Sequence, residues 1–523
     1  MTEESLGALR KRALMALWQM IRLVDEDADG MLTGSAYATA TVVARLGQMP
    51  GLLPESLARL GSNALARTQN RDGSWGSPHA PDRYRVLPTL AVVGALPGRS
   101  AAAPAERSRM REALRRGSEF LFSDPEVLAP DRLPSLEGID HTVPVLLERL
   151  TQAPEFDGDR FGAAARRART AQRANAEHSA RIRARVIGGD RQARREFPLE
   201  LLDEPPRGWC AGTAVRGGAV WCSPALTATA VAWHGAELPG AERYLRREGV
   251  RRQGLWPVLA PAANFERVTA AALFVRLGFP LPHGVTASLC ASVRAALGAD
   301  GMPFAPGLPP DPENTALAVF VLNSWDDAVD SGCLLAFPAV SAPMAAAHVL
   351  EALTTIPCVT DDDAAHAHRV ATVRTLVETQ DPDGHWDDRS VASPCVPTAA
   401  AAMALARAIE SEFCADALLA VSRAIAWLLA NQRADGSWGL WHSTTEETAY
   451  AVHALGICAS PAVERMVAAA LRRAHIFLAD SFDSAASDSV RTPLWHYKDL
   501  GSPVRIERLH TLTALLMSGS PVA

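Results

Sequence analysis

The segment Asp311-Pro312-Glu313-Asn314-Thr315-Ala316 puts two carboxyl groups and an amide within four residues, at the end of a proline-rich stretch, Pro303 to Pro312. Two chemistries suit such a group. Acidic residues at this place can cap the N-terminus of a helix, where unpaired N–H groups and the helix dipole favour negative charge. A carboxyl that is buried instead is pushed towards its neutral form and can carry a transferable proton. Positive charge is almost all arginine: Lys11 and Lys498 are the two lysines of the chain. The eight cysteines (Cys210, Cys222, Cys290, Cys333, Cys358, Cys395, Cys414, Cys458) stand singly, with no Cys-x-x-Cys or Cys/His pairing. That spacing argues against a zinc site and against a disulfide framework. A net charge of −6 excludes a strongly basic nucleic-acid binder.

The elements that must position these groups read as helices. Thr89 to Leu96, Ala225 to His234, Ala399 to Ile409 and Thr448 to Leu455 are rich in alanine and leucine, the strongest helix formers. Glycine and proline cluster between such runs, as in Gly278-Phe-Pro-Leu-Pro-His-Gly284. Alternating β-branched runs are nearly absent, which argues against an all-β or doubly wound fold. Arg160 to Arg195 is rich in arginine and alanine and reads as a solvated face. One repeat recurs: Gln-x-x-Asp-Gly-x-Trp at Gln69 to Trp75, Gln380 to Trp386 and Gln432 to Trp438. It predicts a helix end, a turn at a glycine free to take positive φ, and a tryptophan folded back on a neighbouring helix. The glutamine amide can satisfy helix-end backbone groups. A length of 523 residues suggests two to four domains. Met1 to Asp29 is charged and amphipathic, without a signal-peptide core, and no apolar run of 18 residues lacks a breaker. These features lead us to expect a cytoplasmic protein without stable membrane insertion.

Repeated helix pairs with such clips suggest α/α-barrels, and here the chain resembles bacterial class II terpene cyclases. These are the labdane-type (copalyl-like) and drimane-type diphosphate synthases, relatives of squalene–hopene cyclase. The landmarks come in the family's order: Asp72-Gly-Ser-Trp-Gly76, Asp82-Arg83, Thr89-Leu-Ala91, Ile139-Asp140 with Pro144, Ser223-Pro-Ala-Leu-Thr-Ala228, Phe265-Glu266, Pro312-Glu-Asn-Thr-Ala316, His348-Val-Leu-Glu-Ala-Leu353, Asp435-Gly-Ser-Trp-Gly439, Glu446-Glu-Thr-Ala-Tyr450 and Leu494-Trp-His-Tyr-Lys-Asp-Leu500. The resemblance implies an all-α fold of two α/α-barrel domains, β and γ, with γ inserted near the start of β. Residues 1–22 and 282–523 would form β, and residues 23–279 would form γ.

The resemblance also implies a chemistry. Class II cyclases protonate a terminal alkene or epoxide of a prenyl chain, and the carbocation cyclises while the diphosphate stays attached. The family uses Asp-x-Asp-Asp followed by Thr-Ala, with the middle aspartate as the acid. Here that position is Glu313, flanked by Asp311 and by Asn314 where the family has a second aspartate. Asn314 can hydrogen-bond to Glu313. The asparagine that the family places two residues before the histidine of His348-Val-Leu-Glu is Ala346. The substrate implied is geranylgeranyl or farnesyl diphosphate, and the product a bicyclic labdane- or drimane-type diphosphate. The other reading is a cyclase-like protein that binds a prenyl diphosphate with a degraded acid site and little turnover. Mg²⁺ usually bridges the diphosphate, with Asp140 and Glu137 as the candidate ligands. Lys498, Arg83 and Arg505 are candidate phosphate contacts. Trp221, Trp256, Trp386 and Trp495 are candidates for an aromatic lining that stabilises the cation. Asp326-Asp327-Ala328-Val329-Asp330 spells the magnesium motif of class I terpene synthases, which ionise the diphosphate. The second metal motif of that class is missing, since Asp480 to Asp488 lacks the closing glutamate. We therefore read this segment as a solvated turn.

Overall fold

The structure, a computed structural model, describes the chain except residues 1–2, 28, 48–54, 97–103, 154–155, 157, 204–216, 235–237, 326–328, 330–331, 338–339, 357–363, 412–413, 484–490 and 519–523. The chain opens on α1 (Glu3–Glu26). Its middle supplies α2 (Ala36–Leu46), α3 (Glu55–Arg67), α4 (Asp82–Ala95), α5 (Pro104–Ser123), α6 (Ile139–Gln152), α7 (Gly158–Ala171), α8 (Arg173–Ile187), α9 (Ala193–Glu196), α10 (Pro224–His234) and α11 (Ala241–Arg251). The second half supplies α12 (Ala263–Leu277), α13 (His283–Ala296), α14 (Pro312–Ser324), α15 (Gly332–Leu335), α16 (Pro343–Thr354), α17 (Ala364–Glu378), α18 (Cys395–Ser411), α19 (Ala415–Ala430), α20 (Thr445–Cys458), α21 (Glu464–Asp483) and α22 (Val504–Ser518). A two-stranded hairpin, β1 (Trp495–His496) and β2 (Leu500–Gly501), pairs Trp495 with Gly501 and His496 with Leu500. No disulfide joins the cysteines among the described residues.

The chain divides into two units. One comprises Met1–Met31, Pro261–Thr492 and Pro503–Ala523; the other comprises Leu32–Ala260 and Pro493–Ser502. The division falls at 31/32 and 260/261, not at the 22/23 and 279/282 boundaries of the sequence reading. It also removes 493–502 from the C-terminal domain. Lys498 and Asp499 of the hairpin bond to residues of the second unit.

In the first unit α12, α14, α16, α18, α20 and α22 pack in sequence, and α12 closes the ring against α22. Outer helices α13, α15, α17, α19, α21 and α1 alternate with them. This is an α/α-barrel. Inner and outer helices alternate along the chain, so the inner N-terminal turns gather at one end. Burial follows the layers. Every residue from Asn314 to Leu322 and from Met344 to Leu353 is buried, as expected of helices apolar on all sides. The outer helix α19 buries only the stripe Ala417, Ala420, Val421, Ala424, Ile425 and Leu428, at helical spacing. In the second unit α10, α2, α4, α6 and α8 pack in that order, with α3, α5, α7 and α11 outside them.

The Gln-x-x-Asp-Gly-x-Trp repeats fasten the outer layer to the inner one. The indole N–H groups of Trp75, Trp386 and Trp438 donate to the carbonyls of Leu65, Leu376 and Leu428 at 2.7–2.8 Å. The backbone N–H of each donates to a threonine hydroxyl, Thr89, Thr398 or Thr448, at 2.8–3.0 Å. Gln69, Gln380 and Gln432 each bridge the turn to the next outer helix through the carbonyls of Ala113, Ala420 and Ala470. The glycine is obligatory. Gly384 has φ +108°, and a Cβ there would sit 2.6 Å from the Arg423 carbonyl oxygen. A fourth clip carries no such motif: Trp256 donates to Leu245 O at 2.8 Å and to Thr39 Oγ1 at 2.9 Å, after Gly254 at φ +95°.

Candidate active site

The acid segment starts from a clip of the same kind. Gly301, at φ +113°, turns the chain so that Met302 N–H donates to Thr315 Oγ1 at 2.8 Å. A Cβ on Gly301 would lie 2.5 Å from that oxygen. Asp311 N–H returns to Met302 O at 3.3 Å, which fixes the loop against the start of α14. Asp311 is then the N-cap: its carboxylate accepts from Asn314 N–H at 2.8 Å, and Pro312 fills the position where no N–H is needed. Asn314 Nδ2 donates back to both Asp311 oxygens at 3.1 and 2.9 Å. The amide thus serves Asp311, not Glu313, which corrects the partner expected from sequence. Burial pushes the Asp311 carboxyl above its usual range; the Asn314 bonds oppose that and the Glu313 charge adds to it. Asn314 Oδ1 is buried with no partner among the described residues.

Glu313, in the first turn of α14, is released from capping. Its side chain keeps about a third of its exposure (32%), and Oε1 lies 3.2 Å from His348 Nδ1 on α16. The approach is off the line of a hydrogen bond. Deeper in the ring, Arg276 Nε and Nη2 each donate at 2.6 Å to Glu351, one turn beyond His348. The guanidinium holds the Glu351 carboxyl low against the effect of burial. Arg276 and Arg407 both lie over the Phe320 ring, at 5.9 and 5.2 Å. On α20 and α22, Tyr450 and His510 pack ring to ring at 4.3 Å, and His453 lies behind them. Burial first, then Glu446, pushes the Tyr450 hydroxyl well above its usual value; Arg276 opposes this, and Glu507 and Glu313 add to it. Sequence reading did not single out His453, His510 or the Arg276–Glu351 pair. The available signal was a lone histidine in each of two apolar helical runs.

In the second unit the hairpin presents Lys498. Its Nζ donates to Glu137 O at 3.4 Å and lies 3.9 Å from Glu200 Oε1, which accepts from Tyr37 Oη at 2.8 Å. Glu137 O precedes Gly138, the N-cap of α6, so the ammonium stands at that helix's N-terminus. Asp140 is exposed in the first turn of α6, with Asn175 Nδ2 at 3.5 Å from Oδ1. Glu137 is exposed as well. His141 is buried, and its ring stacks on His178 at 5.3 Å. Burial first, then His178, lowers the His141 ring below its usual imidazole range. Asp499 Oδ2 accepts from Ser35 Oγ at 2.8 Å and from Tyr37 N–H at 3.3 Å, at the start of α2.

The other candidates separate by their surroundings. Trp256 and Trp386 are fully buried clip residues, so they are packing rather than lining. Trp495 is buried in β1. Trp221 is half-buried and sits at φ +47°, beside Cys222 at +53°, in a turn closed by Ser223 N–H to Val220 O. Arg505 is buried and committed to Asp27 and Glu266, so it is not offered to a phosphate. Arg83 is exposed, over the Tyr84 ring at 5.3 Å. Asp326, Asp327 and Asp330 lie outside the described residues. Among those described, Asp381, Asp383 and His385 are close enough together to share a cation, but they are the exposed turn of a clip. Among the described residues, Asp140 and Glu137 have no third carboxylate, histidine or cysteine grouped with them. Such a donor set fits Mg²⁺, which binds through one or two carboxylates and completes its shell with phosphate oxygens and water.

No helix among the described residues is long and apolar enough to cross a membrane. The squalene–hopene cyclase C-terminal domain family matches residues 327–473. An ent-copalyl diphosphate synthase of Streptomyces sp. (strain KO-3988) is 32% identical over 98% of this chain and 97% of its own length. A labda-7,13-dienyl diphosphate synthase of Streptomyces clavuligerus is 30% identical over 97% and 93%. The solved ent-copalyl diphosphate synthase from Streptomyces platensis superposes with a TM-score of 0.78 at 31% identity, covering 98% of this chain and all of the other. With its acid segment at the mouth of an α/α-barrel, this chain belongs to the bacterial class II terpene cyclases of the squalene–hopene cyclase superfamily.

Proposed function

We propose that the enzyme cyclises geranylgeranyl diphosphate to a bicyclic labdane-type diphosphate, with Glu313 as the proton donor. The observation that carries this reading is Glu313 itself. It is a carboxyl in the first turn of α14, freed from capping by the Asp311–Asn314 pair and set against His348 at 3.2 Å. Protonated, it can pass its proton to a terminal alkene. The alkene's π electrons form the new C–H bond, and successive double bonds close the rings onto the cation. The Tyr450 ring, on the inner helix α20, suits a cationic intermediate. A C20 substrate is favoured over farnesyl diphosphate because relatives covering the whole chain are copalyl and labdadienyl diphosphate synthases. Lys498 is the proposed diphosphate contact. Asp140, with Glu137, would hold Mg²⁺, which supplies charge neutralisation for the diphosphate when bound.

The test is incubation with C15 and C20 prenyl diphosphates and Mg²⁺, followed by dephosphorylation and product analysis. A bicyclic diphosphate from the C20 substrate is the expected result. Release of inorganic pyrophosphate in step with substrate loss would show ionisation and overturn the reading.

A further inference from the structure

A cyclised carbocation must lose a proton or capture water before it can leave as a stable diphosphate. The barrel holds a base suited to the first outcome. His453 Nε2 lies 3.1 Å from Thr513 Oγ1. The threonine hydroxyl also lies 2.8 Å from Leu509 O and 3.0 Å from His510 O; with its proton on either carbonyl, the oxygen accepts and His453 carries its proton on Nε2. His453 Nδ1 is therefore a bare lone pair. His510 Nδ1 stands 3.4 Å from it and must be the donor. The chain Thr513, His453, His510 thus fixes the second imidazole as the tautomer whose Nε2 is unprotonated.

That nitrogen has no hydrogen-bond partner among the described residues, and its residue is buried with a trace of exposure (3%). The Tyr450 hydroxyl has no partner among them either, and its ring lies against His510 at 4.3 Å. Both residues are on inner helices, α20 and α22, in the half that carries the N-terminal turns. Glu313, in the first turn of the inner helix α14, belongs to the same end of the barrel. We infer that His510 Nε2 is the base that ends the reaction, an inference that rests on the cyclisation proposed above.

The proton balance is complete. A C–H bond next to the cationic carbon breaks, and its electron pair becomes the new C=C bond. The proton goes to His510 Nε2, giving an imidazolium that the Tyr450 face can stabilise and that later releases its proton to water. One proton enters from Glu313 and one leaves, so product and substrate are isomers. Burial, with Arg276 nearby, keeps both histidines neutral beforehand. A weak base is sufficient, because a carbocation is a far stronger acid than any imidazolium. His453 and Thr513 are positioning residues.

The test uses the full chain with geranylgeranyl diphosphate and Mg²⁺, and reads products after dephosphorylation. If wild type leaves the substrate uncyclised, the proposed function fails, whatever His510 does. If wild type cyclises, His510→Gln should still yield cyclised skeletons. The native alkene's share should fall at least tenfold, replaced by other double-bond isomers or by alcohols from water capture. An unchanged product mix overturns the inference and points to another base, such as the Glu313 carboxylate. So does loss of all cyclisation in a variant that melts like wild type, because a base acts after ring closure. Thr513→Val carries the test if His510→Gln folds poorly. It replaces the hydroxyl with a methyl and frees the tautomer relay. A shift of at least twofold towards the same side products is expected, and an unchanged mix again overturns the inference.

Discussion

Between Asp311 and Glu313 the backbone passes from cap to helix, and the two carboxyls take different work. Asp311 accepts three hydrogen bonds from Asn314 and holds the start of α14. Glu313 accepts none from α14 and faces His348. Glu313→Gln keeps the size and removes the proton, so steady-state turnover should fall by roughly 10²–10⁴-fold while substrate affinity changes little. Turnover equal to wild type would leave Glu313 as part of the cap. Asp140 lies in the other unit and is solvated at the start of α6, with Asn175 3.5 Å away. Asp140→Ala should therefore raise the Mg²⁺ concentration needed for half-maximal activity and weaken substrate binding, without altering which product forms. A magnesium titration that matches wild type would move the metal elsewhere.

Helices reach their places through clips, and the clip at α14 differs from the rest in what it positions. Thr315→Val would leave the Met302 N–H buried without an acceptor, at a cost of about 1–3 kcal/mol. Thr89→Val would do the same to Trp75 N–H in the second unit. Both variants should lower Tm by roughly 2–4 °C per kcal/mol, but Thr315→Val alone should also lower kcat, because its helix carries the proposed acid, Glu313. Equal kcat in the two variants would show that the acid tolerates a loose helix start. Three clips were legible because the sequence keeps both the Asp-Gly turn and the glutamine six residues before the tryptophan. The fourth was not. Before Trp256 the chain reads Gln253-Gly254-Leu255, with no Asp and with the glutamine at another offset, so only the shared bonds reveal it. Helical content followed from alanine-rich runs and glycine–proline punctuation, and the barrel from the repeated clips and the family resemblance. The partners of Asn314, Arg505 and His510 did not, since local spacing cannot say which of several reachable groups a side chain meets across the fold. His453 and His510 are 57 residues apart and become a pair only when α20 and α22 pack.

At the scale of the whole molecule, buried titratable groups couple stability to pH in both directions. In the first unit His453 is held down to about 3 by burial, and His510 is also held well below its usual value. Such bases are neutral in the folded chain but protonated in the unfolded one below about pH 6.5. Their contribution to stability is present above that pH and is lost as the pH falls. For His453 the loss at pH 5 is about 2 kcal/mol. In the second unit burial pushes the Asp499 carboxyl up to about 6, against the bonds it accepts from Ser35 and the start of α2. Its unfolded value is near 3.9, so the folded unit binds the extra proton between about pH 4 and 6. Its stabilising term is present below that window and lost as the pH rises through 6. Asp499→Asn keeps an acceptor for the Ser35 hydroxyl and removes the ionisation. At pH 7.5, where wild type holds a buried carboxylate, the variant should melt higher. At pH 5 the gap should narrow by about 1 kcal/mol. Calorimetric scans of both proteins at the two pH values read this directly. A melting difference that stays the same at pH 7.5 and pH 5 would mean that Asp499 does not change its protonation in this range, and that Ser35 and the α2 N-terminus hold it ionised throughout.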